Sequence, residues 1–252
     1  MTFDTAFLTG QGGRENNEDT CRWETRSGLT AWVVADGLGG ERGGEVASRL
    51  AVDTFLAAFR HHPSLSSEAL SGYIVRADRA IRDRQAAEPL FARMGSTIVA
   101  AVCDGRRLGT VHLGDSRFYW FRDGKVFSQS KDHSVPQALC DAGLLKPEEI
   151  RTHPARNMLL SCLGHPGSAD PTVSPEGAIE PGDALLLCTD GFWGSLREEE
   201  MEQELGQASS ASDWLLRMEP LRRERAATLP DNDNYTAIGV RVGREPAEWR
   251  EG

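Results

Sequence analysis

The stretch Trp32-Val33-Val34-Ala35-Asp36-Gly37-Leu38-Gly39-Gly40 limits what this chain can become more than any other. An apolar, β-prone run delivers one carboxylate to its end, and the glycines after it let the backbone turn sharply away. Ala184-Leu185-Leu186-Leu187-Cys188-Thr189-Asp190-Gly191 repeats the design, and Val111-His112-Leu113-Gly114-Asp115-Ser116 is a looser version of it. Acids at three strand ends can be aimed at one point by a rigid sheet. Asp-Gly also ends strands as plain turn chemistry, which is the better reading of any one stretch alone. Three together, with the polar segments below, favour a site.

Around these runs the pattern mixes strands and helices. Residues 5–12 read as a first strand, followed by the dense polar segment Gly12-Gly13-Arg14-Glu15-Asn16-Asn17-Glu18-Asp19. Residues 30–35 form the strand that carries Asp36. Glu45 to Arg60 reads as a helix, with Val52, Phe55, Leu56 and Phe59 at helical spacing. Pro63 separates it from a second helix over 66–86, with Leu70, Ile74, Ala77 and Ile81 on one face and Ser66 as N-cap. Ser96 to Cys103, Arg107 to Leu113, Arg117 to Arg122 and Lys125 to Gln129 read as a meander. Its turns Asp104-Gly105 and Asp123-Gly124 require antiparallel pairing, against a doubly wound parallel sheet.

From Lys131 to about Pro175 the pattern becomes irregular, with a short helix near Val135–Ala142 and a turn led by Pro147. This segment reads as an insertion lying over a site. Strand returns at 183–189, helices at 197–206 and 211–226, and a last strand runs from Tyr235 to Val242. One domain over 1–243, with a polar tail at 244–252, accounts for the whole pattern.

Charge decides what such a domain can bind. With 38 acids against 28 basic residues the net charge is −10, and no basic stripe offers counterion release to a nucleic acid. No apolar run reaches membrane-spanning length, and the N-terminus lacks a basic-then-apolar leader, so a cytoplasmic location is expected. The five cysteines are odd in number and widely spaced, with no CxxC pair, and read as reduced core residues.

Five acids stand at loop or strand-end positions: Glu18, Asp19, Asp36, Asp190 and Asp233. If they converge, two carboxylates ~4 Å apart repel by ~4 kcal/mol at an effective dielectric of ~20. Divalent metal removes that conflict, and oxygen-only ligands point to Mg²⁺ or Mn²⁺. No HExxH or paired-imidazole spacing supports zinc.

In order along the chain, Arg14-Glu15-Asn16-Asn17-Glu18-Asp19, Asp36-Gly37-Leu38-Gly39-Gly40 and Gly44-Glu45-Val46-Ala47-Ser48 are joined by Gly114-Asp115-Ser116-Arg117, Asp132-His133-Ser134, Asp190-Gly191-Phe192-Trp193 and Asp233-Asn234-Tyr235-Thr236. This series resembles the metal-dependent protein phosphatases, the PPM or type 2C serine/threonine family, from about Gly12 to Val242. The resemblance implies an α+β fold, an α-β-β-α sandwich of two central antiparallel sheets between helical layers, with 131–175 as a flap. It implies that Asp36 bridges two metals, that Gly37 offers its carbonyl to one, and that Asp190 and Asp233 hold the other. Glu18 and Asp19 then act through metal-bound waters, and Asp115 with Asp190 binds a third, weaker ion. Arg14 holds the phosphate through its fork of donors. A water between the metals attacks phosphorus in line, without a phospho-enzyme. The implied substrates are phosphorylated proteins, a serine/threonine kinase or its targets, and the implied state is a monomer.

One departure stands out. Some members carry His directly after the Asp-Gly, as acid for the leaving alkoxide, and here that residue is Leu38. His133 and His153 read as structural, leaving a metal-bound water for the role. Two rival enzyme or cofactor readings fail on the residues. A haloacid-dehalogenase-type phosphatase needs a second Asp where Val34 stands, and Arg42 breaks the GxGxxG of a dinucleotide site. The rival from another class is a non-catalytic pseudophosphatase that binds phosphoprotein, but no expected ligand is missing.

Overall fold

The computed structural model describes residues 1–39, 43–165, 170–228 and 232–243; Gly40 of the glycine-rich motif and the expected tail 244–252 lie outside them. The strands are β1 (Thr2–Gly10), β2 (Thr20–Arg26), β3 (Leu29–Ala35), β4 (Gly37–Leu38), β5 (Gly95–Ser96), β6 (Ile98–Cys103), β7 (Arg107–Leu113), β8 (Arg117–Arg122), β9 (Lys125–Gln129), β10 (Thr172–Ala178), β11 (Ala184–Cys188) and β12 (Tyr235–Gly243). The helices are α1 (Gly44–His61), α2 (Ser67–Ala87), α3 (Val135–Asp141), α4 (Asp190–Trp193), α5 (Glu198–Gln207) and α6 (Ala211–Ala226). One sheet runs β1-β12-β11-β8-β9 and the other β10-β7-β6-β3-β2, with every pairing antiparallel.

The apolar runs are continuous because each central strand is covered on both faces. In β3, Trp32 and Val34 face the core between the sheets while Ala31, Val33 and Ala35 face α1 and α2. In β11, Leu185 and Leu187 enter the same inter-sheet core, and Leu186 and Cys188 pack with Phe192, Trp214 and Met218 on the other side. Three apolar layers thus separate four structural layers, the α-β-β-α order expected. Both strands emerge from these cores at the same end, bringing Asp36 and Asp190 to one cleft.

The long helices fall where the spacing places them. Ser66 caps α2 by accepting a hydrogen bond from the Ala69 amide at 3.3 Å, and Leu70, Ile74, Ala77 and Ile81 are buried. Several elements differ from expectation. Thr20–Arg26 is an additional edge strand, joined to β3 by a turn in which Ser27 and Gly28 have φ of 51° and 79°. The insertion ends earlier than Pro175, since β10 already pairs with β7 from Thr172 onward. The strand expected over Ser96–Cys103 breaks at Thr97, between β5 and β6.

Candidate active site

Asp36 owes its position to backbone bonds on both sides. Its amide donates to Thr97 Oγ1 at 3.0 Å, and its carbonyl accepts from the Thr97 amide and from Ser96 Oγ, each at 2.9 Å. Thr97 Oγ1 also pairs with Ser116 Oγ at 2.7 Å, which ties Asp36 to the turn carrying Asp115. The break between β5 and β6 is therefore what clamps the Asp36 strand end.

The glycines after the acids serve close approach. A Cβ on Gly37 would lie 2.1 Å from the Gly44 carbonyl oxygen, and one on Gly191 would lie 2.0 Å from that of Asn234. No side chain fits at either contact, so plain turn chemistry does not explain these Asp-Gly pairs.

Asp190 opens α4, and Trp193 at that helix's end donates its indole N–H to the Asp115 carbonyl at 3.0 Å. The Trp193 ring is covered by the Arg117 guanidinium, 3.4 Å from its centroid, and Arg117 is held by Asp132 through two bonds of 2.8 Å. Thr189 Oγ1 donates to Asp19 Oδ2 at 2.9 Å.

The result is a cleft of about 460 Å³ lined by Arg14, Glu18, Asp36, Gly37, Asp115, Asp190 and Asp233, among others. Of the residues that the resemblance places on metals or phosphate, Asp19 alone is not on its lining; it sits against Thr189. Leu38, Leu159 and Asn157 form part of the wall, the last two from the flap. Arg14 reaches Asp233, with Nη2 2.7 Å from Oδ2. His133 and His153 do not line the cleft. His133 stacks on His112 with centroids 4.7 Å apart, and its Nδ1 accepts from the Gly114 amide at 3.1 Å. His153 Nδ1 accepts from the Ala155 amide.

Crowding of acids governs the electrostatics. Burial, then Asp19, Asp190 and Asp115, push the Asp36 carboxyl well above the usual range. Burial and the neighbouring Asp190 and Asp132 do the same to Asp115. Burial pushes Asp19 up to about 8 against the opposing hydroxyls of Thr236 and Thr189. Burial and Asp233 raise Asp190 to about 6, opposed by flap residue Arg156 and by a hydrogen bond with Asp36. Burial and Glu45 raise Glu18.

Among the described residues, no three carboxylate, imidazole or thiolate groups already close on one point as a finished metal cage. The donor set nonetheless fits divalent cations. Asp19 Oδ1 and Asp190 Oδ1 are buried and accept no hydrogen bond, a cost that a proton or a cation relieves. Every side chain singled out as a ligand offers oxygen, the donor of Mg²⁺ and Mn²⁺ sites. A phosphate ester would be repelled from such a floor unless cations covered it, so any phosphate chemistry in this cleft is metal-assisted.

Residues 11–231 match the family model described as protein phosphatase 2C. The chain belongs to this family, the metal-dependent protein phosphatases. It is 37% identical over 194 residues to the serine/threonine protein phosphatase PstP of Mycobacterium tuberculosis, across 76% of this chain and 36% of that protein. The chain therefore spans about a third (36%) of that relative's length. It is 31% identical over 216 residues to the serine/threonine phosphatase stp of Listeria welshimeri, across 82% of this chain and 84% of that one. The crystal structure of the PstP catalytic domain in complex with two manganese ions superposes with a TM-score of 0.81 at 31% identity, covering 96% of this chain and 99% of that one. No helix among the described residues is long and apolar enough to cross a membrane.

The raised acids set a relation between stability and pH for the metal-free protein. A carboxyl with a higher pKa folded than unfolded keeps a proton that the unfolded chain has lost, so stability falls as pH rises through that interval. Asp19, Asp36, Asp115 and Asp190 act in this sense. His112 and His133, both lowered by burial, oppose it only up to the ordinary imidazole pKa of 6.5. Carboxyls held below the usual range, such as Asp183 and Glu200, act only at lower pH. Chelated protein is therefore expected to melt lower at about pH 8 than at about pH 6.5, since Asp19 is pushed up to about 8 and Asp36 and Asp115 well above the usual carboxylate range, while Asp190, at about 6, acts mostly below this window. Each lost kcal/mol, about 1, moves Tm by ~2–4 °C in a domain of this size. Added Mn²⁺ should remove the slope. Thermal unfolding that is flat or rises over this interval without metal contradicts the protonated cluster.

Proposed function

We propose that this cleft hydrolyses phosphoserine and phosphothreonine in proteins, with two Mg²⁺ or Mn²⁺ ions held by Asp36, the Gly37 carbonyl, Asp190 and Asp233. Glu18 and Asp19 surround these ions, and Asp115 with Asp190 takes a third, weaker one. The observation that carries the reading is the lining itself: carboxylates, a guanidinium at the rim, and no Cys, Ser or His among the described lining residues. With no thiol, hydroxyl or imidazole there, and with Val34 where an aspartyl-phosphate enzyme needs its second Asp, water is the attacking group. When bound, the ions supply Lewis acidity and lower the pKa of a coordinated water.

The chain's own groups do the rest. Asp36, fixed through its backbone by Ser96 and Thr97, holds its carboxylate still against the pull of its neighbours. Arg14 is about half exposed, and an exposed ion pair like its bond to Asp233 is worth only ~0–1 kcal/mol. Its guanidinium can turn to a phosphate at little cost and pair with two of its oxygens. Leu38 and Leu159 narrow the cleft wall, which limits water around the ester. A non-catalytic phosphoprotein-binding role has no lost ligand in its favour. The partners are phosphorylated proteins, a serine/threonine kinase or its targets, and the protein acts as a monomer in the cytoplasm.

Phosphate release from phosphoserine and phosphothreonine peptides, with a phosphotyrosine peptide as the poor substrate, tests the reading. Turnover of phosphotyrosine alone would overturn it. Arg14→Ala should lower kcat/KM by ~2–3 kcal/mol, on the order of 30- to 150-fold, through the lost charged hydrogen bonds. Mn²⁺ affinity should hold, because Arg14 has no lone pair to give to a cation. If kcat/KM stays at the wild-type value in the folded variant, Arg14 serves only as the ion partner of Asp233.

A further inference from the structure

The loop from Gln11 to Glu18 carries Arg14 at its tip, and one buried side chain ties it down at three points. Asn234 Nδ2 donates to the Gln11 carbonyl and to the Asn16 carbonyl, and its Oδ1 accepts from the Glu18 amide, all at 2.8 Å. Both amide hydrogens and the carbonyl are thus engaged, across the start, middle and end of the loop. Asn234 is only 5% exposed, and its own backbone N–H donates to Asp233 Oδ1 at 2.8 Å. The side chain therefore serves the loop, while the main chain serves the acid.

In the sequence Asn234 stands inside the Asp233-Asn234-Tyr235-Thr236 motif, next to the acid. Its geometry points to a positioning residue of the phosphatase reaction: the Asn234 carboxamide fixes the 11–18 loop so that Arg14 stands at the cleft rim, and it acts on turnover through Arg14. This rests on Arg14 being the phosphate-binding group. Aspartate and serine fit the three points less well. Aspartate would set a carboxylate against two carbonyls, and serine is too short to reach all three groups. Other bonds keep the loop from collapsing: Gly13 N–H to the Asn232 carbonyl at 2.7 Å, and Asn17 Nδ2 to Thr9 Oγ1 at 2.9 Å. Within the tip, Gln11 Nε2 donates to the Arg14 carbonyl at 2.6 Å and to the Glu15 carbonyl, a turn whose start is itself held by Asn234 at the Gln11 carbonyl. Loss of Asn234 should hence loosen the tip without unfolding the sandwich. A shift of about 1 Å in a group that orients substrate can cost on the order of 100-fold.

The test is a kinetic cycle on the Mn²⁺-loaded full chain with wild type, Asn234→Ala, Arg14→Ala and the double variant. Asn234→Ala alone should lower kcat/KM about 30-fold, mostly in KM, but under about threefold once Arg14 is gone, because groups acting as a unit are non-additive. Inorganic phosphate, as a competitive inhibitor, should lose affinity in step with that first drop. Mn²⁺ binding by calorimetry should stay within about threefold, since the backbone bond to Asp233 is kept. Equal losses in both Arg14 backgrounds, or Mn²⁺ affinity falling together with phosphate affinity, would overturn the proposal. If Asn234→Ala does not fold, the same cycle with Asn234→Ser decides it. An Arg14→Ala enzyme at wild-type kcat/KM would remove the Arg14 assignment and this inference with it. An impaired one with additive losses removes only the role of Asn234.

Discussion

Asp36→Asn is expected to abolish turnover, lowering kcat by at least about 1,000-fold, while the protein stays folded and melts no lower than wild type without metal. Asn keeps the shape of the side chain and its backbone clamp from Ser96 and Thr97. What it removes is the charge at the centre of the cluster, beside Asp19, Asp190, Asp115 and Asp233. One charge at ~4 Å from a cation is worth on the order of 4 kcal/mol per unit charge at an effective dielectric of ~20. For a divalent ion that doubles to ~8 kcal/mol, so losing the charge weakens cation binding by well over ~10³-fold. Without metal the sign reverses, because removing one acid from a mutually repelling group relieves strain. Asp115→Ala is the contrast. Its carbonyl bond to Trp193 is a main-chain bond that alanine retains. The tight ions should therefore remain, and turnover should fall more modestly, more on a phosphoprotein than on a small aryl phosphate. Near-normal turnover in Asp36→Asn, or loss of the tight ions in Asp115→Ala, contradicts this division of roles.

Much of the fold could be read because the signals were local. The runs ending at Asp36 and Asp190 are strands, the faces of α1 and α2 follow the 3.6-residue period, and Asp123-Gly124 forms the hairpin its residues specify. Three elements escaped for identifiable reasons. Thr20–Arg26 is an edge strand whose side chains are intermediate or exposed throughout, so hydrophobicity could not mark it. Thr172–Ala178 contains Pro175 and Gly177 and shifts register between Ser174 and Gly177, which disguises a strand as a loop. Asp190–Trp193 is a single turn, too short for any period to show.

The site divides along similar lines. Acids at strand ends could be named from sequence, but their convergence came from the family resemblance, because contacts across 61 residues between Asp36 and Thr97, or 170 between Asp19 and Thr189, leave no trace in spacing. The clamps Thr97 and Thr189 and the flap contacts of Asn157, Leu159 and Arg156 were invisible for that reason. Asn234 carried a signal in its motif, yet only its three bonds disclose a task.

Removing metal should have an effect as large as losing Asp36. Without cations the floor of the cleft is a crowded set of acids; a buried oxygen of Asp190, and one of Asp19 behind the floor, accept no hydrogen bond. A phosphate ester meeting that floor is repelled where it is ionised and finds no Lewis acid where it is protonated. Activity should therefore drop by at least about 1,000-fold on exhaustive chelation and return with Mn²⁺ or Mg²⁺. Binding should also release protons near neutral pH, since Asp36 and Asp115 are held well above the usual carboxylate range and Asp19 at about 8. The most direct measurement is a Mn²⁺ titration of chelated protein by calorimetry in two buffers of different ionisation enthalpy. Phosphate release from a phosphothreonine peptide is followed at each step. The expected result is tight binding of two ions with proton release and turnover that rises as the second site fills. Full turnover before any metal is added, or saturation of both sites with no turnover at all, would contradict the metal-dependent phosphatase cleft.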